Sequence, residues 1–438
     1  MEGHLGETLR RGESVTLDRW LSWLPEEVVR AHPRLCLAQA MLEWHRYRLE
    51  SVERLLQQVE STMEAEPQPR RLEVPTEGGM VADPRAAIAL LRAQVAGVQG
   101  DGERETEFAQ AALTHLAEQE RGPRFWARWL LVAADWHRRR LQQAEAGFAE
   151  MLAEGRAAPD PHPLMITCYP LGAVQRARGE LGAALRTFRE GLRFATERGR
   201  FSPSLECEPH IGIAQVLYAR DELDAALAHA TEAVTLGRQV VESFLLALAL
   251  DAMAWIHQAM GNGEAALEAM DEAYDMLPAM AVARHIYPGE AWRARLLLAL
   301  GRVGEAARWT EERGLTADDV VSYQRERDYL VLARVLLARH DPAGALRLLE
   351  RLHALAASQG RTESLIEITA VRSLATQAAG DHQGALTELA EALTLARPAG
   401  YIRVFADEGP PMAALLQSLI RARRRGGVVA VPRQRATT

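Results

Sequence analysis

The sequence predicts an all-α, right-handed superhelical solenoid of about nine helix pairs, on three observations. The alanines Ala144, Ala184, Ala226, Ala266, Ala306, Ala345 and Ala385 return at successive spacings of 40, 42, 40, 40, 39 and 40. A glycine stands five positions before four of them, at Gly179, Gly261, Gly301 and Gly380. A leucine directly follows five of them, with Glu145 and Ala307 the exceptions. A period of about 40 residues marks stacked supersecondary units, none of which buries its apolar face alone.

The elements follow in order. Residues 1–32 hold a leading helix, over 8–24, that covers the open end of the array. The array itself runs over residues 33–397 as tetratricopeptide-like helical hairpins. Within one period, residues 181–198 place Leu181, Leu185, Phe188, Leu192 and Ala195 on a single stripe. Arg178-Gly179-Glu180 ahead of that stripe offers a glycine suited to a left-handed helix cap. The recurrent alanine falls in the first turns of the second helix, where two close backbones leave room for a methyl group.

Phe148 precedes Phe188 by one period and Phe108 by two, which carries the pattern upstream. Leu56 precedes Phe108 by more than one period, and the surplus matches a Pro/Gly-rich stretch at 67–84, read as an inserted, exposed loop. The first helices of the later pairs are apolar on nearly every face, 243–260 most clearly, as expected of helices sandwiched between neighbours. Residues 398–420 close the array: 401–405 (YIRVF) reads as a short strand, 408–411 as a turn and 412–420 as a last helix. Residues 421–438 form a basic, flexible tail.

Composition excludes several classes. No run of about 18 uncharged apolar residues exists, so no membrane helix is predicted. Residues 1–11 carry acids and no apolar segment, unlike a secretory signal. Cys36, Cys168 and Cys207 lack metal-site spacing; Cys168 and Cys207, one period apart, read as buried thiols rather than a bridge. A cytoplasmic location is the expectation. The chain contains no lysine, so a Walker A lysine, a Schiff base and a lysine general base are all excluded. Six arginines and no acids follow Glu408, so the other 45 basic residues face all 59 acids, a balance of −14. Such a body does not attract nucleic acid by counterion release, and the short tail reads as a solvated linker.

No HExxH, CxxC, GxSxG or GxGxxG occurs, and the 13 histidines are scattered. No catalytic residue, metal ligand or cofactor is predicted. Aromatic residues instead recur on the first helices, which line the concave surface of such arrays. The candidate effector groove comprises His210, Tyr218, Trp255, His285, Tyr287, Glu290, Trp292 and Tyr323, aromatics for stacking beside polar groups for orientation. Packing between repeats is the alternative role for each. Within the group, 285–292 (HIYPGEAW) stands out because Pro288 and Gly289 interrupt an apolar helix start and would gather His285, Tyr287, Glu290 and Trp292.

Two segments carry a family resemblance. Residues 390–416 (AEALTLARPAGYIRVFADEGPPMAALL) resemble the segment closing the helical-repeat sensor domain of the large ATP-binding LuxR-type, MalT-like transcriptional regulators. Residues 16–39 (TLDRWLSWLPEEVVRAHPRLCLAQ) are similar to the segment that opens it. The resemblance spans nearly the whole chain. It implies a sensor that receives an effector and, in the family, works with a P-loop NTPase, a winged helix and a C-terminal helix-turn-helix. Here no GxxxxGK[ST] occurs, and the stretch after Ile420 is too short for a helix-turn-helix, so this chain resembles the middle of such a regulator. The expectation is a non-catalytic module that binds a small-molecule or protein effector, with NTPase and DNA-binding domains as partners in cis or in trans. Direct DNA binding and membrane association are not expected. A stand-alone scaffold that binds a protein segment is the alternative.

Overall fold

A computed structural model describes residues 14–65, 74–76, 79–158, 162–197, 203–240, 243–276 and 288–424. Two leading helices, Ser14–Ser22 and Glu26–Ala31, precede a series of helical hairpins. Pair one is Pro33–His45 with Leu49–Ala65, pair two Pro84–Val98 with Gly102–His115, and pair three Arg121–His137 with Leu141–Ala157. Pair four is His162–Ala177 with Leu181–Glu197, pair five Pro203–Ala219 with Leu223–Gly237, and pair six Ser243–Ala259 with Gly263–Asp275. Pair seven is Gly289–Ala299 with Val303–Glu312, pair eight Glu326–Ala338 with Pro342–Ser358, and pair nine Thr362–Ala378 with His382–Ala396. The all-α, helical-repeat expectation holds.

The repeat is set at its tight turn. Five residues before every recurrent alanine the backbone is left-handed: Gly179, Gly261, Gly301 and Gly380 lie at φ 82, 81, 77 and 93°, and Arg139, Asp221 and His340 at 63, 65 and 63°. At all seven turns the next N–H donates to the carbonyl five residues back, as Glu180 to Gln175 (2.8 Å) and Asp341 to Leu336 (2.8 Å). This bond satisfies a carbonyl the first helix leaves without a partner and turns the chain straight into the second helix. Asp341 and Asp381 add side-chain caps, accepting from Gly344 and Gly384 N–H at 2.8 Å. The seven alanines are all fully buried. Packing within and between pairs is just as close: a Cβ on Gly172 of the same pair or Gly212 of the next would overlap the ring of Phe188.

Three regions depart from the sequence reading. The stretch read as an exposed loop contains an antiparallel hairpin, Val74–Thr76 with Gly79–Val81, whose Val81 is fully buried and packs in one cluster with Leu90 and Trp126. Residues 401–405 do not form a strand. Arg403–Ala406 is one helical turn, because Tyr401 and Phe405, four apart, are the two that bury; composition alone favoured a strand. The last helix is Gly409–Arg424: Pro410 and Pro411 need no N–H in a first turn, so the expected turn begins the helix. Its end takes in Arg421, Arg423 and Arg424 of the expected tail; residues 425–438 lie outside the described residues. The three cysteines are buried thiols, and burial pushes Cys168 up to about 12. Among the described residues no helix is long and apolar enough to cross a membrane.

The array returns on itself. Ile402 N–H donates to Ala219 O (2.8 Å), Arg220 Nε to Ala399 O (3.2 Å) and Tyr401 OH to Arg176 O (3.3 Å). One apolar cluster therefore joins Leu181, Phe188 and Leu217 of pairs four and five to Leu389, Tyr401, Phe405 and Met412 of the end. Elsewhere Tyr47 of the first turn meets Phe244 of pair six at 5.8 Å between centroids.

Two substitutions test the turn. At Gly261 an added Cβ meets nothing within 4 Å, so Gly261→Ala carries only left-handed strain and lowers stability by about 1 kcal/mol in urea denaturation. His340→Gly, at an exposed left-handed position, raises stability by roughly half as much, because glycine's freedom in the unfolded chain offsets part of the relief.

Candidate functional site

Closure leaves a central cavity of about 580 Å³. Each first helix from pair three onward contributes a stripe at spacings of three, four and seven residues. Pair six supplies Phe244, Leu248, Asp251, Ala252 and Trp255; pair seven Ala291, Trp292 and Arg295; pair eight Arg327, Leu330, Val331 and Arg334. The closing segment completes the wall with Tyr401, Arg403, Val404, Asp407 and Glu408.

One wall is aromatic and cationic. Trp255 and Trp292 meet edge to face, centroids 6.0 Å apart. The Arg295 guanidinium lies 5.5 Å from the Trp255 ring, and that of Arg327 4.8 Å from Trp292. The same arginines enter an ion-pair network. Glu408, its side chain 7% exposed, accepts from Arg334 Nη2 at 2.6 Å and from Arg295 Nη2 at 2.9 Å. Arg334 also reaches Glu367 at 3.0 Å, and Arg327 pairs with the other Glu367 oxygen. Tyr218 OH donates to Asp407 Oδ2 (2.5 Å), Arg403 pairs with the other Asp407 oxygen, Oδ1, and Arg403 Nη1 reaches Asp221 at 3.1 Å.

Electrostatics follow from this packing. Burial favours the neutral form of Glu367, but Arg327 and Arg334 outweigh it and hold the carboxyl at about 2. Glu408 is likewise lowered: burial opposes, and Arg295 and Arg334 prevail. Asp407 goes the other way, raised by burial despite Arg403. Burial, then the Asp407 charge, raises the Tyr218 hydroxyl well above its usual value, so it remains a donor.

The second wall is built around Tyr323, whose ring lies 3.2 Å from the Arg139 guanidinium carbon and 4.9 Å from that of Arg361. Arg361, 2% exposed, pairs with Glu326 and donates to Ser364 Oγ at 2.7 Å.

Of the sequence candidates, Tyr218, Trp255, Trp292 and Tyr323 line this cavity. His210 does not. Glu208 faces the cavity, and two residues of helix rotate His210 about 200° away, where its Nδ1 meets His229 Nδ1 at 3.0 Å. Burial and then His229 push His210 down to about 4. Glu290 pairs with Arg313 at 3.3 Å and is not among the residues that line the cavity. His285 and Tyr287 lie outside the described residues. Sequence reasoning missed the ionic half of the wall; its signal was the set of arginines and glutamates sharing the helical stripes of the aromatics. Among the described residues no group of His, Cys, Asp and Glu is placed to hold a metal ion.

A closed array of helical hairpins around a polar-and-aromatic cavity defines a helical-repeat binding domain. The MalT-like TPR region, as a family model, matches residues 86–422, and the chain belongs to that family. No curated protein matches the sequence. Among solved structures, the chain is similar to the Rap conjugation gene regulator of the plasmid pLS20 in complex with the Phr* peptide, at 13% identity and TM-score 0.50, covering 85% of this chain and 98% of that one. It is also similar to a Rap protein complexed with Competence and Sporulation Factor, at 13% identity and TM-score 0.48, covering 93% and 100%. A tetratricopeptide repeat protein from Parabacteroides merdae aligns at 15% identity and TM-score 0.40, covering 67% and 100%. At 13% identity the likeness to the Rap conjugation gene regulator shows the fold alone.

The network predicts an acid response. Glu367 has a folded value near 2 against an ordinary 4.5, so it contributes stability that is fully present above pH 4.5 and lost as pH falls toward 2. Chemical denaturation across that window should show the loss, and Glu367→Gln should flatten it. Glu408→Ala, which leaves two arginines facing each other with little water, should cost about 3 kcal/mol or more at pH 7.

Proposed function

We propose that this chain is the non-catalytic sensor domain of a MalT-like LuxR-type transcriptional regulator and takes its effector into the central cavity. The observation that carries this reading is the participation of the closing segment in the cavity wall, through Asp407 and Glu408. The cavity volume falls within the range of small-molecule sites, which run from about 300 to 1,000 Å³. Trp255 and Trp292 offer ring faces for stacking, and the arginines and carboxylates offer orientation. An effector that prefers the closed wall over an open one shifts the equilibrium by that difference in affinity and no more. Typical couplings of about 1–3 kcal/mol are enough to change the state of an NTPase or DNA-binding domain joined in cis or acting in trans. Effector binding, location in the cytoplasm and the regulatory partners are parts of this same reading.

A peptide effector is the second reading, favoured by the likeness to the Rap regulator in complex with the Phr* peptide. In that case the chain is a scaffold that receives a polypeptide segment.

Native mass spectrometry of the purified chain, beside its denatured mass, separates the two. A discrete excess of a few hundred daltons supports a captured small molecule; a peptide adduct supports the scaffold; cavity ligands of neither kind from cells under any condition would sink the sensor reading. With a ligand in hand, Trp292→Ala should weaken its binding by more than about 1 kcal/mol with the fold intact. Lost stability at unchanged affinity would return Trp292 to the core.

A further inference from the structure

Seven arginines line the cavity, and six have a carboxylate within 4 Å: Arg176 with Glu363, Arg295 and Arg334 with Glu408, Arg327 with Glu367, Arg361 with Glu326 and Arg403 with Asp407. Arg139 is the exception: among the described residues it has no ion pair, and its buried Nε has no hydrogen-bond partner. Arg361, though paired on one side, leaves its buried Nη2 without a partner. The two guanidinium groups share the Tyr323 ring, at 3.2 and 4.9 Å from its centroid. Arg139 holds this place at a cost: φ is 63°, and burial lowers its pKa, with Arg361 adding to the lowering and Tyr323 and the Glu326 carboxylate only partly opposing it. The two guanidinium groups have one carboxylate between them, Glu326, which pairs with Arg361 alone, and a buried donor on each, Arg139 Nε and Arg361 Nη2, is unused; an anion is the occupant that fits.

We infer that Arg139, Arg361 and Tyr323 form the anion-binding end of the cavity, so that the ligand is a small molecule with an aromatic or apolar body and a carboxylate, phosphate or sulfonate group. The inference rests on the cavity being the effector site and adds the charge of the effector. The anion accepts from Arg139 Nε and Arg361 Nη2, while the body lies toward Trp255 and Trp292. Such an anion offsets the desolvation of Arg139 and screens the two arginines from each other, which no neutral ligand does.

Two fluorescent dyes with one ring framework test this: anilinonaphthalene sulfonate and its uncharged parent N-phenylnaphthylamine, each titrated into the full chain. The sulfonate dye should bind at least tenfold tighter, and Trp292→Ala should weaken both, which locates them in the cavity. Arg139→Gln should abolish the preference and leave the neutral dye unchanged. Arg139→Gly should do the same; it removes the guanidinium and the left-handed strain together, so the loss does not come from unfolding. If the neutral dye binds as tightly as the sulfonate, or the preference survives both Arg139 variants, the anion site falls and the cavity reading stands. If Trp292→Ala affects neither dye, they sit elsewhere and the anion site falls. If the folded chain binds neither dye, the cavity reading falls with it.

Discussion

The register in which the array closes rests on the carboxylate of Glu408, held between arginines of two different helix pairs. Magnitudes separate what drives closure from what directs it. Tyr401, Phe405, Met412, Leu415 and Leu419 bury against the array, and burying each large apolar side chain is worth about 1.5–3 kcal/mol. The ion pairs add little net energy, because removing each charge from water costs about what the attraction returns. Apolar contact is indifferent to a one-turn shift, however, and the network is not. Any slip of the closing segment would leave Arg295 uncompensated and Arg334 with Glu367 alone. The apolar cluster therefore supplies the free energy, and Glu408 supplies the register.

That division explains what could be read in the sequence. The repeat was legible because its determinant is local: one left-handed residue five before one buried alanine. Even so, glycine marks only four of the seven turns. Arg139, Asp221 and His340 adopt the same conformation with side chains that ordinarily avoid it, and only the register of the alanines betrays them. The hairpin within 74–81 and the helical turn at 403–406 depend on what they pack against, so composition misread both.

The cavity was half legible for the same reason. Aromatic residues are rare enough to be noticed, and four of the eight candidates do line it. Choosing among neighbours on a helix needs the phase, and the phase comes from packing between pairs distant in sequence. Glu208 and His210 are two residues apart and face opposite ways. Arg139 lies in the turn of pair three and Tyr323 leads into pair eight, so the two meet only because the array closes.

Closure also constrains how binding can be transmitted. The Arg295 guanidinium lies 5.5 Å from the Trp255 ring and its Nη2 donates to Glu408. A ligand body laid on Trp255 and Trp292 would exclude water from that pair and strengthen its attraction, since charges interact more strongly where the local dielectric is low. A ligand anion placed beside Arg295 would instead compete with Glu408 and loosen the closing segment. The sign of the response thus follows from where the ligand carries its charge. With the anion held by Arg139 and Arg361, away from Glu408, ligand and Glu408 do not contend for the same arginines, and binding tightens the closed state.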